Sequence, residues 1–321
     1  MIRRPDLEIS KRIGQPIDEN LPVPMELGEM CNLDTVEPGD RVWRYTNVDG
    51  DNDTILAVDT TDGKLVQVKR NPIGETEITF TSLNSKKEYI LADAVLKSPD
   101  LKIFGRKKRA ITRAMDKREL KLLIDGIEAG TNVPNNSAIQ SYTASSSEDL
   151  YDVIMAMKHL VEDYGSDYLL LVGSTVKEKI DTFDKDNVAT FNYNVTLTSK
   201  LKELGINVMK VYGKVEVTDG GGEVVLLNKK HMILIARNSR IAEGKPIWFV
   251  RRRISPEIAE LMGADVDGAQ RALIVGKTPE QVDFAGTTYP VLGFSIYGYE
   301  SVVFAIPNPK AIVTCDATPV V

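Results

Sequence analysis

Sulfur and imidazole are scarce in this chain of 321 residues. It has two cysteines, Cys31 and Cys315, near opposite ends. Two such residues build no disulfide framework, and the expectation is that both stay reduced in a cytoplasmic, reducing setting. Two histidines, His159 and His231, are too few for most metal or triad chemistry. No CxxC, HExxH or nucleophile elbow occurs, and no GxGxxG follows a strand. Cationic excess is also missing. The formal net charge is -6, which argues against a dedicated nucleic-acid binder and suits a container that must not stick to packed DNA. No apolar run of 18 residues exists, so no membrane span is expected, and MIRRPDLEIS lacks the apolar stretch of a signal peptide.

Hydrophobic residues (42%) and charged residues (27%) are in the proportions of an ordinary folded protein rather than a disordered one. Residues 1–38 read as an arm, because Pro5, Pro16, Pro22, Pro24 and Pro38 stop any long helix. Residues 39–96 read as a β-projection. ILAVDT (55–60) and KLVQVK (64–69) flank Thr61-Asp62-Gly63, and EITFT (77–81) and EYILA (88–92) follow. A ribbon this polar gains little from its own domain.

Residues 99–129 read as one helix, roughly 45 Å long, with Pro99 at its first turn and Gly130 just past its end. Its apolar surface is drawn by Phe104, Ile111, Met115 and Leu122, extended by Leu101, Leu123 and Ile127, while Gly126 weakens the last turn. A second helix spans 148–164, capped by Ser147 and ended by Gly165. YLLLV (168–172) is a buried strand. Helices at 174–182 and 197–204 and strands at 206–212, 223–227, 232–236, 246–250 and 271–275 complete an α/β region. The closing strands are 290–298, 301–306 and 311–315.

Four features invite chemical readings. Asp49-Gly50-Asp51-Asn52-Asp53 starts like a calcium loop, but Thr54 and Thr60 stand where the loop needs Gly and Glu, so a polar turn is favoured. Gly173-Ser174-Thr175 lacks the lysine of a phosphate loop, and Ser174 reads as a helix cap. Gly220-Gly221-Gly222 reads as a hairpin tip. His159 and His231 read as solvent-facing or boundary residues. No catalytic, cofactor or metal residues are assigned. Two basic runs remain: Arg106, Lys107, Lys108 and Arg109 on the long helix, and Arg251, Arg252 and Arg253 at a strand end. With Lys64 and Lys69 of the projection, they are candidate inter-subunit contacts. Ion pairs to a neighbour are favoured over contact with phosphate.

The order of elements is a broken arm, a β-ribbon, a long helix, an α/β region and a returning β-segment. It resembles the major capsid proteins of tailed bacteriophages, with the Hong Kong 97-like fold. The most specific pieces are GFSIYGYESVVFAIPNPKAIVTCDA (293–317) and DYLLLVGSTVKEKI (167–180). The resemblance implies an α+β chain divided into an N-arm (1–38), an E-loop (39–96), a P domain with the spine helix (97–165, completed by 287–321) and an α/β A domain (166–286). It also implies a structural protein without enzymatic activity. Pentamers and hexamers would form an icosahedral shell around double-stranded DNA, in a virion assembled in the host cytoplasm. Implied partners are other copies of the chain, a scaffolding protein, a portal protein, a decoration protein and, weakly, the packaged DNA. A scaffold is implied because no long helical pro-segment precedes the arm, and the arm is expected to persist through maturation. Some relatives join an E-loop lysine to a P-domain asparagine. Lys64, Lys69, Lys86, Lys87 and Asn308 are available, but a crosslink is not expected from the residues alone. The competing readings are an encapsulin-type compartment shell, a small-molecule-binding α/β enzyme over 148–285, and a tail or decoration protein.

Overall fold

The computed structural model describes residues 25–39, 42–46, 75–86, 88–91, 102–134, 137–186, 196–218, 220–239, 244–262, 268–276, 280–284, 287–291 and 293–321. The chain opens with α1 (Met25–Met30), β1 (Cys31–Val36), β2 (Val42–Thr46), β3 (Glu75–Thr79), β4 (Thr81–Asn84) and β5 (Glu88–Leu91). Next come α2 (Lys102–Ala129), β6 (Gln140–Thr143), α3 (Leu150–Val161), β7 (Gly165–Val172), α4 (Ser174–Asp186) and α5 (Leu197–Glu203). Then follow β8 (Ile206–Lys210), β9 (Lys214–Glu216), β10 (Glu223–Val225), β11 (His231–Ser239), β12 (Ile247–Arg252) and α6 (Pro256–Met262). The last elements are β13 (Arg271–Gly276), β14 (Glu280–Phe284), β15 (Thr287–Val291), β16 (Gly293–Ala305), a 3-10 turn (Pro309–Ala311) and β17 (Ile312–Asp316).

Two sheets share one core. The five-stranded sheet runs β6-β17-β11-β7-β8. Its strands alternate cleanly. Leu170, Val172, Met232, Leu234 and Val313 face Leu150, Ile154, Met157 and Val161 of α3, with Val176, Ile180, Leu197 and Leu201 of α4 and α5. Leu169, Leu171, Ile233 and Ile235 face the other way, toward Leu120, Leu123, Ile124 and Ile127 of α2. Both faces are covered, which is why YLLLV carries no polar residue.

The second sheet is built on β16. Each of Tyr299, Glu300, Ser301 and Val302 has one partner in β4 and one in β12 or β13. So β12 and β13 follow one another along one edge of β16, with β4 and β5 along the other and β1 added in parallel beyond β12. Gly298, Val302 and Phe304 of β16 face α2. The odd-numbered Val303 and Ala305 face Val250 and Ile78, with Trp43 and Phe80 packed against them.

The helix approaches β16 too closely for side chains at two points. A Cβ at Gly126 would lie 2.0 Å from Phe304 Cζ, and one at Gly298 would lie 2.2 Å from Met115 Sδ. Gly126, expected to weaken the helix end, instead makes room for the Phe304 ring. Gly130 stops the helix at φ +62.

The structure corrects several expectations. Two separate strands at 290–298 and 301–306 are one 13-residue strand, β16, preceded by β15. Satisfied ladders on both edges carry it through Gly298 without a break. The cap of α3 is Asp149, whose side chain accepts from Asp152 N, and not Ser147; the helix ends at Val161, and Gly165 opens β7. The base of the expected projection joins the core sheet, since β4 and β5 pair with β16 and Leu83 is buried. The 55–60 and 64–69 ribbon and the Asp49–Asp53 stretch lie outside the described residues. The sheets are built from distant parts of the chain: β6 and β17 pair within the β7–β11 sheet, while β12 and β13 pair with β16.

We expect Gly126→Ala to lower stability by about 1–3 kcal/mol through overpacking against Phe304, despite the better helix propensity of alanine. Thermal melts of G126A and of G126A combined with Phe304→Leu measure this. The double variant should recover part of the loss.

Candidate functional site

The register of β16 assembles a buried charge cluster beneath α2. Arg271 stands opposite Glu300, and Arg251 stands opposite Val302, two residues on and therefore on the same face. Asp116 and Glu119 of α2, three residues apart, project onto that face. Glu119 accepts two hydrogen bonds from Arg251, from Nε at 2.8 Å and from Nη2 at 2.7 Å. Arg271 donates from Nη1 to Asp116 at 2.7 Å and from Nε to Glu300 at 2.5 Å. Its Nη2 lies 3.2 Å from Glu119 Oε2. Glu119, Arg271 and Glu300 are each 0% exposed.

Three carboxyls meet two guanidiniums here, so full ionisation would leave one uncompensated negative charge in the interior. Glu300 is where that is relieved. Burial, reinforced by the charge of Glu119 and opposed by Arg271, pushes its carboxyl up to about 8. Its Oε1 is buried without a hydrogen-bond partner among the described residues, so nothing on that side stabilises the ionised form. Burial also raises Asp116, against the pull of Arg271. For Arg251 burial works to lower the pKa, and the Glu119 carboxylate more than reverses it. Such a cluster joins helix to sheet with fixed geometry, because each fork admits one orientation of its carboxylate.

The sequence-derived contacts are placed as follows. Arg251 is buried and committed to Glu119 inside the chain, which corrects its reading as a surface cation. Arg252 lies over the Phe80 ring at 5.1 Å, and Arg253 sits 3.6 Å from Glu37. Lys107 is ion-paired with Glu88. Lys108 is half-buried, and Arg106 and Arg109 are exposed. Lys64 and Lys69 lie outside the described residues. Lys86 pairs with Glu216 at 2.6 Å, and Asn308 is buried, donating to Ser239 Oγ at 2.8 Å. Cys31 and Cys315 are both free and buried, in different clusters. Burial raises both thiols, Cys315 to about 11. His159 is exposed beside Glu162, and His231 is half-buried with Nδ1 2.7 Å from Glu128. Sequence reasoning missed Asp116, Glu119, Arg271 and Glu300. The only available signal was an acid on the apolar face of an otherwise regular helix stripe.

Beside the cluster a groove of about 740 Å³ opens between α2, the β9–β10 hairpin and residues 83–86. Arg113, Lys117 and Arg118 line one wall, and Glu216 and Glu223 the other. No group of three or more potential metal ligands occurs among the described residues, and no described helix is long and apolar enough to cross a membrane.

No known family model matches the chain, and no curated protein matches it in sequence. Solved structures do. A virus-like particle from Pyrococcus furiosus is similar over 97% of this chain and 97% of its own, at 13% identity and TM-score 0.51. The capsid of a native GTA particle is similar over 94% of this chain and 92% of its own, at 12% identity and TM-score 0.55. The capsid of the cyanophage P-SCSP1u is similar over 90% and 86%, at 10% identity and TM-score 0.50.

The cluster generates two expectations. The folded chain holds a proton on Glu300 that the unfolded chain releases near its ordinary value of 4.5. Stability is therefore full below that value, falls as pH rises through the interval, and has lost this contribution above about 8. Denaturant midpoints of wild type and Glu300→Gln between pH 5 and 9 test this, and the variant should show a flatter decline. Removing one partner leaves an uncompensated buried charge, so Arg251→Met should destabilise by about 3–5 kcal/mol, measured by the same titration at pH 7. By near-complete coverage of these neighbours, the chain has the fold of capsid shell proteins.

Proposed function

We propose that this chain is a structural shell protein, the major capsid protein of a tailed bacteriophage, built on the Hong Kong 97-like plan. The observation that carries this reading is coverage. The similarity to particle-forming proteins runs through 90–97% of this chain, so it is a likeness of the whole architecture and not of one common motif. The physics agrees. A shell subunit needs a rigid body that keeps its shape and extensions that add interface area. Here α2 is fastened to both sheets, and β2 and β3, which flank residues 47–74 in the sequence, pair antiparallel with each other.

On this reading 1–38 is the N-arm, 39–96 the E-loop, 97–165 with 287–321 the P domain, and 166–286 the A domain. Copies associate as pentamers and hexamers into an icosahedral shell around double-stranded DNA, with scaffolding, portal and decoration proteins as partners. The chain acts as a building block and not as an enzyme. A compartment shell is the second reading, favoured by the match of equal extent to a virus-like particle. The contents decide between the two: nucleic acid for a capsid, cargo protein for a compartment.

Light scattering and electron microscopy of the purified chain, with and without a co-expressed scaffolding protein, should show megadalton closed particles. A monomer or dimer under every condition sinks the proposal. Replacing residues 48–73 with a Gly-Ser linker leaves β2 to β5 in place and costs little in loop closure. We expect the unassembled variant to melt like wild type while particle yield falls sharply. Normal yield would remove the segment from the assembly interface.

A further inference from the structure

The two faces of α2 are charged in opposite ways. Beneath it, every guanidinium has a carboxylate. On its outer side the balance is lost: Lys102–Arg118 contains eight Lys or Arg and one acid, Asp116, which is bound to Arg271. Arg106, Arg109, Arg113 and Lys117 are exposed and spaced three, four and four residues apart. That spacing holds them within an arc of about 80° along about 16 Å of helix. Among the described residues, none of the four has an ion pair.

The stripe leads into the groove. There Lys86 occupies Glu216, and Lys214 stands 3.7 Å from Glu223, so both acids of the far wall are already met. Arg113, Lys117 and Arg118 remain. Burial lowers the pKa of Arg118, so its charge is only partly solvated where it stands. The small side chains of Ala110 and Ala114 leave the stripe open to a bulky anion.

We propose that this outer face of α2, from Arg106 to Lys117 with Arg118 in the adjoining groove, binds the phosphate backbone of double-stranded DNA. The chemistry favours phosphate over an acidic polypeptide. Four of the five cations are arginines, whose forks match phosphate oxygens. A polypeptide interface would want an apolar centre, yet among the described residues the exposed large apolar side chains are Leu33, Tyr212, Val217 and Val224, of which Val217 alone lines the groove. No aromatic ring lines the groove, which argues against stacking on single-stranded bases. The net charge of -6 does not cancel the attraction at this face, because exposed charges are screened beyond about 8 Å at physiological salt. The inference rests on the shell reading for its setting: it names the face that meets the enclosed genome.

The test is fluorescence anisotropy of the unassembled full-length chain with a 20-bp duplex across a salt series. Wild type should bind with a steep salt slope. The variant R109Q/R113Q/K117Q should flatten that slope by about 2.7, at 0.9 for each lost phosphate contact. R109K/R113K should keep it, and K202Q/K210Q/K229Q, three exposed lysines elsewhere, should leave it unchanged. The inference is overturned if the two glutamine triples lose equally, if wild type shows no salt-dependent binding, or if polyglutamate of equal charge binds as tightly as the duplex. Particle formation by each variant is scored separately. Shells without stripe-dependent binding refute this inference alone. Stripe-dependent binding by a chain that never forms shells refutes the shell reading instead.

Discussion

The buried cluster of Asp116, Glu119, Arg251, Arg271 and Glu300 is the constraint on which the rest of the body depends. It ties one helix to three strands that are far apart in sequence, through forks that tolerate only one alignment. A hydrophobic contact of equal area would permit sliding, whereas a one-residue slip in β16 would turn Glu300 to the opposite face and strand two buried arginines. The cluster therefore sets the register of β16 against β12 and β13, and with it the close approach of α2 at Gly298 and Gly126. Buried ion pairs add little net stability compared with apolar packing, so specificity of alignment is the better account of this one.

Around that joint the apolar core is continuous. Leu120, Leu123, Ile124 and Ile127 of α2 pack in one cluster with Leu169 and Ile233 of the five-stranded sheet and with Phe249 and Phe304 of the other. The helix is thus shared by both sheets, and the chain crosses between them several times. Such interleaving makes a stiff body, because neither sheet can move without disturbing the helix.

The same helix also separates two electrostatic environments. Its inner acids are matched by arginines at contact distance, and burial beside Glu119 pushes the Glu300 carboxyl up to about 8. On its outer side Arg106, Arg109, Arg113 and Lys117 are exposed, and none has an ion pair among the described residues. Matched charge inside and unmatched charge outside follow from dielectric: an unpaired charge is tolerable in water and costly in the interior.

Local pattern determined much of this protein by itself. The periodicity of 102–129, the apolar run YLLLV, the stops at Gly130 and Gly205 and the strand cores at 232–236, 247–250 and 312–315 are each written within one turn or one strand of sequence. So was the order of elements that resembles the capsid fold. Pairing between distant segments was not legible. That Gly298 is the middle of one long strand, that β6 and β17 join the sheet of β7, and that Leu83 is core follow only when both partners are present. The role of the charges belongs to the same class. Arg251, Arg252 and Arg253 are identical letters in a row. Strand alternation sends Arg251 inward to Glu119, 132 residues away, and leaves Arg252 over an aromatic ring on the other face. A charged residue carries no mark of its partner, and only the tertiary structure decides whether it meets water or a carboxylate.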